Sequence, residues 1–257
     1  MRLRETWRLI GISSNDAYTN MAIDEAILRS RAAGRAPNTI RFYRWSPSAV
    51  SIGFFQSVEE EVDIESCEEL GVDIVRRPTG GGAVYHDSDG ELTYSLVVDV
   101  GNQRVPADFL SSYRALCDGI VRGLRDLGLD AHFNPVNDVL VGGRKISGNA
   151  QTRRLGTVLQ HGTVLLRADL SRMFRVLRIA DEKLRDKMIS AAQERVTTIE
   201  RELGRAVEFE EVSDALRRGF EEALGIELEE GDLSKEERSL AMELRGKYSS
   251  REWIYMR

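Results

Sequence analysis

Three consecutive glycines, Gly80, Gly81 and Gly82, stand inside RRPTGGGAVYHD, between the apolar run VDIVRR and the alternating run ELTYSLVV. Ordering a glycine costs roughly 0.5–1 kcal/mol relative to alanine, so a triple run in a folded segment needs a compensating use. The loop lacks the GK[ST] ending of a P-loop and the GxGxxG spacing of a dinucleotide fold. What remains is a concave turn whose bare backbone amides can face an anion or let a planar group lie against the chain. Arg76 and Arg77 alternate at the end of the preceding strand, and Arg77, nearer the turn, is the candidate to face a phosphate or carboxylate.

The flanking segments mix strands and helices without regular alternation. Asn20 to Ala33 reads as a helix with Ala22, Ile23, Ala26 and Ile27 on one face, ended by Gly34 and Pro37. TIRFYRW and SAVSIGFF read as strands, Asp63 to Leu70 as a helix, and VDIVRR as a strand. Phe109, Tyr113, Leu116, Ile120, Leu124 and Leu127 recur at spacings of three and four, which predicts an amphipathic helix closed by Gly128. GTVLQHGTVLL predicts a further long strand. Beyond about Ala168 the chain reads as helical: Asp169 to Ala180, Glu182 to Ser190, Glu210 to Leu224, and a last helix opened by Ser234 with Glu237 in a capping box. The expected class is α+β, a mixed sheet flanked by helices over Thr39 to Leu166, in a single domain spanning 1–257 with a helical C-terminal part from about 169.

VNDVLVGGRKISGNAQ predicts a hairpin turning at Gly142 and Gly143. That register faces Val141 with Arg144, Leu140 with Lys145, Val139 with Ile146 and Asp138 with Ser147. Asp138, Leu140, Lys145 and Ser147 then share one face, with Val139, Val141 and Ile146 anchoring the other. Lys145 is suited to polarise a carboxylate and steady a phosphate, and Asp138 to hold a magnesium ion; a plain cross-strand ion pair is the competing use of the two charges.

Composition excludes several classes. The formal charge of −6, from 36 basic and 42 acidic residues, gives no basic face for nucleic acid. No run approaches the about 18 uninterrupted apolar residues of a membrane span, and MRLRETWRLIGISSND has no apolar core with a cleavage site, so a cytoplasmic protein is expected. Cys67 and Cys117 have neither CxxC spacing nor companion histidines, which argues against a disulfide framework or a zinc site.

RRPTGGGAVYHD followed by ELTYS, then NDVLVGGRKISGNAQ and LQHGTVLL, resembles the lipoate protein ligases of the biotin/lipoate ligase superfamily, in their short archaeal-type form. The likeness runs from NMAIDEAIL through RFYRW and SIGFFQ to KYSSREWIY. It implies an ATP-dependent enzyme of protein modification that forms lipoyl-AMP from lipoate and ATP with Mg2+ and passes the acyl group to a lysine. The acceptor would be a lipoyl domain of a 2-oxoacid dehydrogenase E2 or the glycine cleavage H protein, with a separate small accessory subunit possible. In that picture Lys145 is catalytic, bridging acyl carbonyl and α-phosphate. Arg77, Gly80, Gly81, Gly82, Ala83, Val84, His86 and Asp87 line the substrate and nucleotide pocket with Asn137, Ser147, Gly148, Ala150 and His161, and Asp138 meets the metal. The acyl chain would occupy a tunnel between the SIGFF and LQHGTVLL strands.

Octanoyltransferases of the same superfamily, which take octanoate from acyl carrier protein through a cysteine thioester, also carry RRPTGG and an EW-containing C-terminus. Their cysteine lies just before the hairpin, where this chain has DAHFNPVND, and its absence tilts the expectation toward the ligase. A transferase, with or without a catalytic cysteine, and a non-catalytic lipoate-binding relative are the alternatives.

Overall fold

The computed structural model describes residues 4–178 and 185–257. Strands β1 (Glu5–Asn15), β2 (Thr39–Trp45) and β6 (Glu91–Asp99) form the centre of an eight-stranded sheet. On one side of them lie β10 (Thr157–Leu165), β9 (Arg144–Arg154), β8 (Asp138–Val141) and β7 (Ala131–Asn134), and on the other β11 (Ile226–Glu230), in the order β11-β1-β2-β6-β10-β9-β8-β7. β1 runs parallel to both β11 and β2, while β2, β6, β10, β9, β8 and β7 pair antiparallel, so the sheet is mixed as expected. A second sheet of three strands, β4 (Asp73–Arg76), β3 (Ala49–Ile52) and β5 (Val84–His86), carries the glycine run between β4 and β5.

Helices cover both faces of the large sheet, which is why β2 shows little polar alternation. Ile40 and Phe42 point into one core with Leu116, Ile120 and Leu124 of α4 (Phe109–Asp126) and Leu216 and Phe220 of α8 (Phe209–Leu224). Tyr43 and Trp45 point into the other, against α1 (Ala17–Ala32) and α9 (Lys235–Ser249). Helices α4 and α8 cross where a Cβ on Gly219 would fall 2.2 Å from the Gly119 carbonyl oxygen, so glycine sets their approach. A third cluster lies beneath the small sheet, where Val50, Ile52 and Val58 meet Cys67 of α3 (Ile64–Leu70).

Several boundaries move, for physical reasons. Helix α1 begins three residues before the expected Asn20, because the Asp16 carboxylate caps it by accepting from the Thr19 amide at 2.7 Å. Phe109 leaves the buried stripe of α4; at 54% exposure its ring lies under the Arg153 guanidinium. The capping box on α9 is present, and Glu237 additionally accepts two bonds from Arg8 of β1. Of the two helices expected between Asp169 and Ser190, the described parts are α5 (Leu170–Val176) and α6 (Arg185–Arg195); the expected helical residues Ile179, Ala180 and Glu182 to Leu184 lie outside the described residues. The region after Ala168 is not only helical, since β11 adds a strand to the edge of the large sheet beside β1, which was itself unexpected.

The hairpin forms with Gly142 and Gly143 at φ of 56° and 76°, the two positive values a tight turn of this kind requires. Its register departs from the expected one beyond Leu140. Ile146 is bulged out of the pairing, so Val139 faces Ser147 and Asp138 faces Gly148. Val139, Val141 and Ile146 are nonetheless buried together, so the apolar anchor is as expected.

Candidate acyl-binding site

A cavity of about 490 Å³ is lined from both sheets. Arg77, Gly80, Gly81, Gly82, Ala83, Val84, His86 and Asp87 reach it from the glycine segment, and Asn137, Lys145, Ser147, Gly148, Ala150 and His161 from the hairpin and β10. Asp138 stands just behind this wall, held through Lys145. The apolar lining is not the expected tunnel. Of SIGFF only Ser51 lines the cavity, because Ile52 turns into the core under the small sheet and Phe55 is 71% exposed. Met21, Trp45, Tyr85, Tyr113, Leu165 and Met173 supply greasy surface instead.

The glycine run is shaped by Arg77. This side chain is buried, donating to the Ser51 carbonyl at 2.8 Å and to the carbonyls of Gly80 and Gly82 at 2.9 and 2.7 Å. Those bonds engage the guanidinium in folding the loop, while the residue still borders the cavity. Burial pulls its pKa down to about 10. Only Gly81 is forced to be glycine by its conformation, with φ of 96° and an added Cβ 2.9 Å from Arg77 Nη2; a Cβ on Gly80 would make ordinary contact with Phe55, and one on Gly82 would meet nothing. The loop therefore presents bare backbone to the cavity. Arg76 faces the opposite way, fully buried, and its guanidinium donates to the carbonyls of Gly53, Phe54, Gln56 and Ile254.

On the hairpin, Lys145 Nζ lies 2.7 Å from Asp138 Oδ1, the cross-strand ion pair. The lysine side chain runs across Gly148, where a Cβ would come within 2.8 Å of Nζ. The bulge and that glycine together bring Lys145 to the cavity wall. No group of three or more His, Cys, Asp or Glu able to hold a metal ion occurs among the described residues, and the expected ligand Asp138 is instead paired with an ammonium. Asn137 braces the strand beside it: its side chain donates to the Asn149 carbonyl, and Asn149 Nδ2 donates back to the Asn137 carbonyl at 2.9 Å. Asn149 Oδ1 in turn accepts from Tyr94 at 2.7 Å.

Both cavity histidines stand beside a carboxylate that sequence reasoning missed. His161 Nε2 is 2.7 Å from Thr79 Oγ1, and its Nδ1 is 3.5 Å from Asp24, a fully buried acid. His86 Nδ1 is 2.8 Å from Glu91 Oε1 and its Nε2 is 2.8 Å from Ser51 Oγ. Burial pushes the His161 pKa down, against the pull of Asp24. The one sequence signal was polarity out of place: Asp24 interrupts the apolar face of MAIDEAIL, and Glu91 opens an otherwise buried strand.

Cys67 and Cys117 are both buried and neither lines the cavity. Burial pushes the Cys67 thiol up to about 12 and Cys117 higher still, so neither supplies thiolate near neutral pH. Changing Cys67 to alanine and Cys117 to serine together should leave turnover within about twofold of wild type, with any loss confined to thermal stability, as thiol-independent chemistry requires. A loss of turnover beyond tenfold in the folded variant would place a thiol in the reaction.

A mixed sheet joined to a small glycine-loop sheet over a largely apolar cavity, with an amine on the wall, is the frame on which the family likeness rests. The chain belongs to the lipoyl protein ligase A/B catalytic-domain family, whose model matches residues 16–221. It is 41% identical to octanoyltransferase LipM of Kyrpidia tusciae, over 98% of this chain and 99% of that protein. Against octanoyltransferase LipM of Bacillus subtilis it is 37% identical over 99% of each. Among solved structures it is similar to a bi-partite lipoate protein ligase, solved in work on that ligase and its E2 lipoyl domain from Thermoplasma acidophilum, with a TM-score of 0.88 and 39% identity over 98% of this chain and 97% of that one.

The octanoyltransferase relatives correct two expectations. The ATP-dependent ligase forming lipoyl-AMP, and with it ATP and Mg2+ as cofactors, gives way to the transferase alternative, since the curated relatives covering the whole chain are octanoyltransferases. The ligase expectation leaned on a missing cysteine, but that absence bears on whether a thioester forms on the enzyme and not on how the acyl group arrives activated. No described helix is long and apolar enough to cross a membrane.

Proposed function

We propose that this protein is an octanoyltransferase that takes a medium-chain acyl group from a carrier-protein thioester and delivers it to a lysine of a lipoyl domain. The observation that carries the reading is the cavity itself, greasy along one side and lined on the other by the bare glycine run and Lys145, in a chain matching octanoyltransferases end to end. A thioester arrives already activated, so the protein has only to hold donor and acceptor in register, offset developing charge and exclude water.

Each part of the site has a place in that reaction. The octanoyl chain lies against Trp45, Tyr85, Leu165 and Met173. Its carbonyl oxygen sits over the glycine amides, where negative charge grows as the tetrahedral intermediate forms. The Lys145 ammonium, steadied by Asp138 at 2.7 Å, offsets the charge on the departing carrier sulfur. A lipoyl domain as acceptor is supported by the Thermoplasma acidophilum ligase, which was solved in work that includes an E2 lipoyl domain.

Chain length tests the reading. Octanoyl carries about four more methylenes than butyryl, and at roughly 0.8 kcal/mol per buried methylene the cavity should discriminate by on the order of 10² in kcat/KM. Competition between octanoyl and butyryl thioesters of one carrier protein, followed by mass spectrometry of the lipoyl domain, measures this directly. Equal transfer of the two would refute an acyl-binding role for the cavity.

A further inference from the structure

Ser51, His86 and Glu91 form a continuous array along the cavity wall. Ser51 Oγ is 2.8 Å from His86 Nε2, His86 Nδ1 is 2.8 Å from Glu91 Oε1, and all three residues line the cavity. The order of groups is hydroxyl, imidazole, carboxylate, each within hydrogen-bond reach of the next. Its tautomer is set by its neighbours. Arg77 Nη1 donates to Ser51 Oγ at 3.1 Å, which leaves the hydroxyl proton free to point at His86 Nε2 while Nδ1–H points at Glu91.

Each member is held rigidly. The Trp45 indole stacks on the imidazole at 4.1 Å between ring centroids with planes 16° apart, and Trp45 Nε1 donates to Thr93 Oγ1, which donates to Glu91 Oε1 at 2.6 Å. Among the described residues, His86 is the one basic group in ion-pair distance of Glu91, and Glu91 Oε2 is buried with no hydrogen-bond partner. The buried carboxylate is thus placed to steady an imidazolium at His86. A network that served only to hold Arg77 would end at Ser51, which satisfies the guanidinium through its carbonyl and hydroxyl; it would need no acid beyond the histidine.

The glycine run completes the arrangement. Because a trans peptide points its C=O and N–H in opposite directions, the bonds from Arg77 to the carbonyls of Gly80 and Gly82 turn the amides of Gly81 and Ala83 to the other side. Neither amide donates to another protein group among the described residues. They are preorganised donors for an oxyanion, and the Arg77 cation beside Ser51 Oγ favours an alkoxide there.

We infer that Ser51 is the nucleophile of an acyl-enzyme, with His86 as general base and Glu91 as its positioning acid, occupying the part that a cysteine plays in a thioester route. The inference rests on the transferase reading above. Ser51 Oγ attacks the thioester carbonyl and its proton passes to His86 Nε2. The carbon–sulfur bond breaks, the carrier sulfur leaves with that proton as a thiol, and an octanoyl ester remains on Ser51. The amine of the acceptor lysine then attacks the ester carbonyl and gives up a proton through His86. The carbon–oxygen bond breaks, the hydroxyl of Ser51 is restored and an amide is released. Electrons and atoms balance with no further reactant.

Two measurements on the full chain test it. Octanoyl-acyl carrier protein without acceptor should leave the protein heavier by one octanoyl group, mapped to Ser51 by peptide mass spectrometry. An octyl fluorophosphonate, which needs only a nucleophilic hydroxyl, should label the same residue. Ser51→Ala should abolish both adducts and lower transfer at least 10³-fold, and His86→Gln should slow labelling at least 10²-fold. Ser51→Cys should recover an adduct that neutral hydroxylamine cleaves, unlike the wild-type ester, a change of chemistry that a merely structural role for Ser51 would not produce. Transfer by wild type with Ser51 unlabelled, or transfer retained in Ser51→Ala, overturns the inference and leaves the transferase reading standing. Labelling of Ser51 by the fluorophosphonate in a protein that takes nothing from the carrier would show a reactive hydroxyl yet overturn the transferase reading, and the carrier-derived acyl-enzyme with it.

Discussion

Lys145→Met should lower octanoyl transfer by on the order of 10²–10³ while leaving the fold intact. Methionine keeps the approximate length of the side chain and its path across Gly148, but removes the ammonium that lies 2.7 Å from Asp138 at the cavity wall. The loss should fall on kcat rather than on KM for the acyl donor, since an ammonium offsetting charge that exists only in the transition state contributes little to ground-state binding. Both partners are partly exposed, so breaking the pair should cost about 1 kcal/mol of stability or less. Circular dichroism against temperature and steady-state kinetics on one preparation separate the two effects. A variant that transfers at the wild-type rate would remove Lys145 from the chemistry.

Arg41→Met should be the most destabilising single change near the site. Asp24 and Arg41 are buried to 0% and 1% exposure, 3.0 Å apart, and Asp24 Oδ1 also accepts from Ser95 at 2.7 Å. Removing the guanidinium strands a buried carboxylate, which costs about 3–5 kcal/mol and roughly 6–20 °C in Tm for a chain of this size. The double change Asp24→Leu with Arg41→Met should be less damaging than the single one, because it removes the stranded charge as well. Differential scanning calorimetry of the single and double variants decides; equal losses in both would mean that burial of the carboxylate is not the cost.

The same cluster gives the protein a pH dependence. Burial alone would raise the Asp24 pKa, but His161 and Arg41 outweigh it and hold the carboxyl below its ordinary value, while burial holds His161 below 6.5. Both groups therefore bind protons more readily when unfolded. Stability should be fully present above about pH 7, begin to fall as pH drops through the ordinary histidine value, and fall further below about pH 4 as Asp24 is protonated. His161→Gln should remove the first of these declines and keep the second.

How far the sequence foretold this arrangement depended on whether the cause was local. The α4 stripe from Tyr113 to Leu124 and the Gly142-Gly143 turn are periodic or turn-coded within a dozen residues, and both form where expected. Lys145 and the glycine run reach the cavity because each is fixed by its own hairpin or loop. Pairing of IELEE with ETWRL joins segments at opposite ends of the chain; Ile226 and Leu228 alternate with exposed glutamates, but five residues of alternation do not name a partner so distant. The bulge at Ile146 was hidden for a related reason, since one extra residue leaves the apolar anchor buried while moving Asp138 from Ser147 to Gly148. Ser51, Glu91 and Asp24 were passed over because nothing in the local sequence around each marks it as part of a site, and only the three-dimensional meeting of β3, β5, β6 and α1 gives them partners.

The reading of this chain as an octanoyltransferase is tested most directly by supplying octanoyl-acyl carrier protein and a lipoyl domain, with ATP and magnesium left out. The site as described predicts an octanoyl amide on one lysine of the lipoyl domain, formed in step with free carrier thiol and unchanged when nucleotide is added. No transfer under those conditions, with octanoate or lipoate attached only once ATP is supplied and pyrophosphate is released, would contradict it.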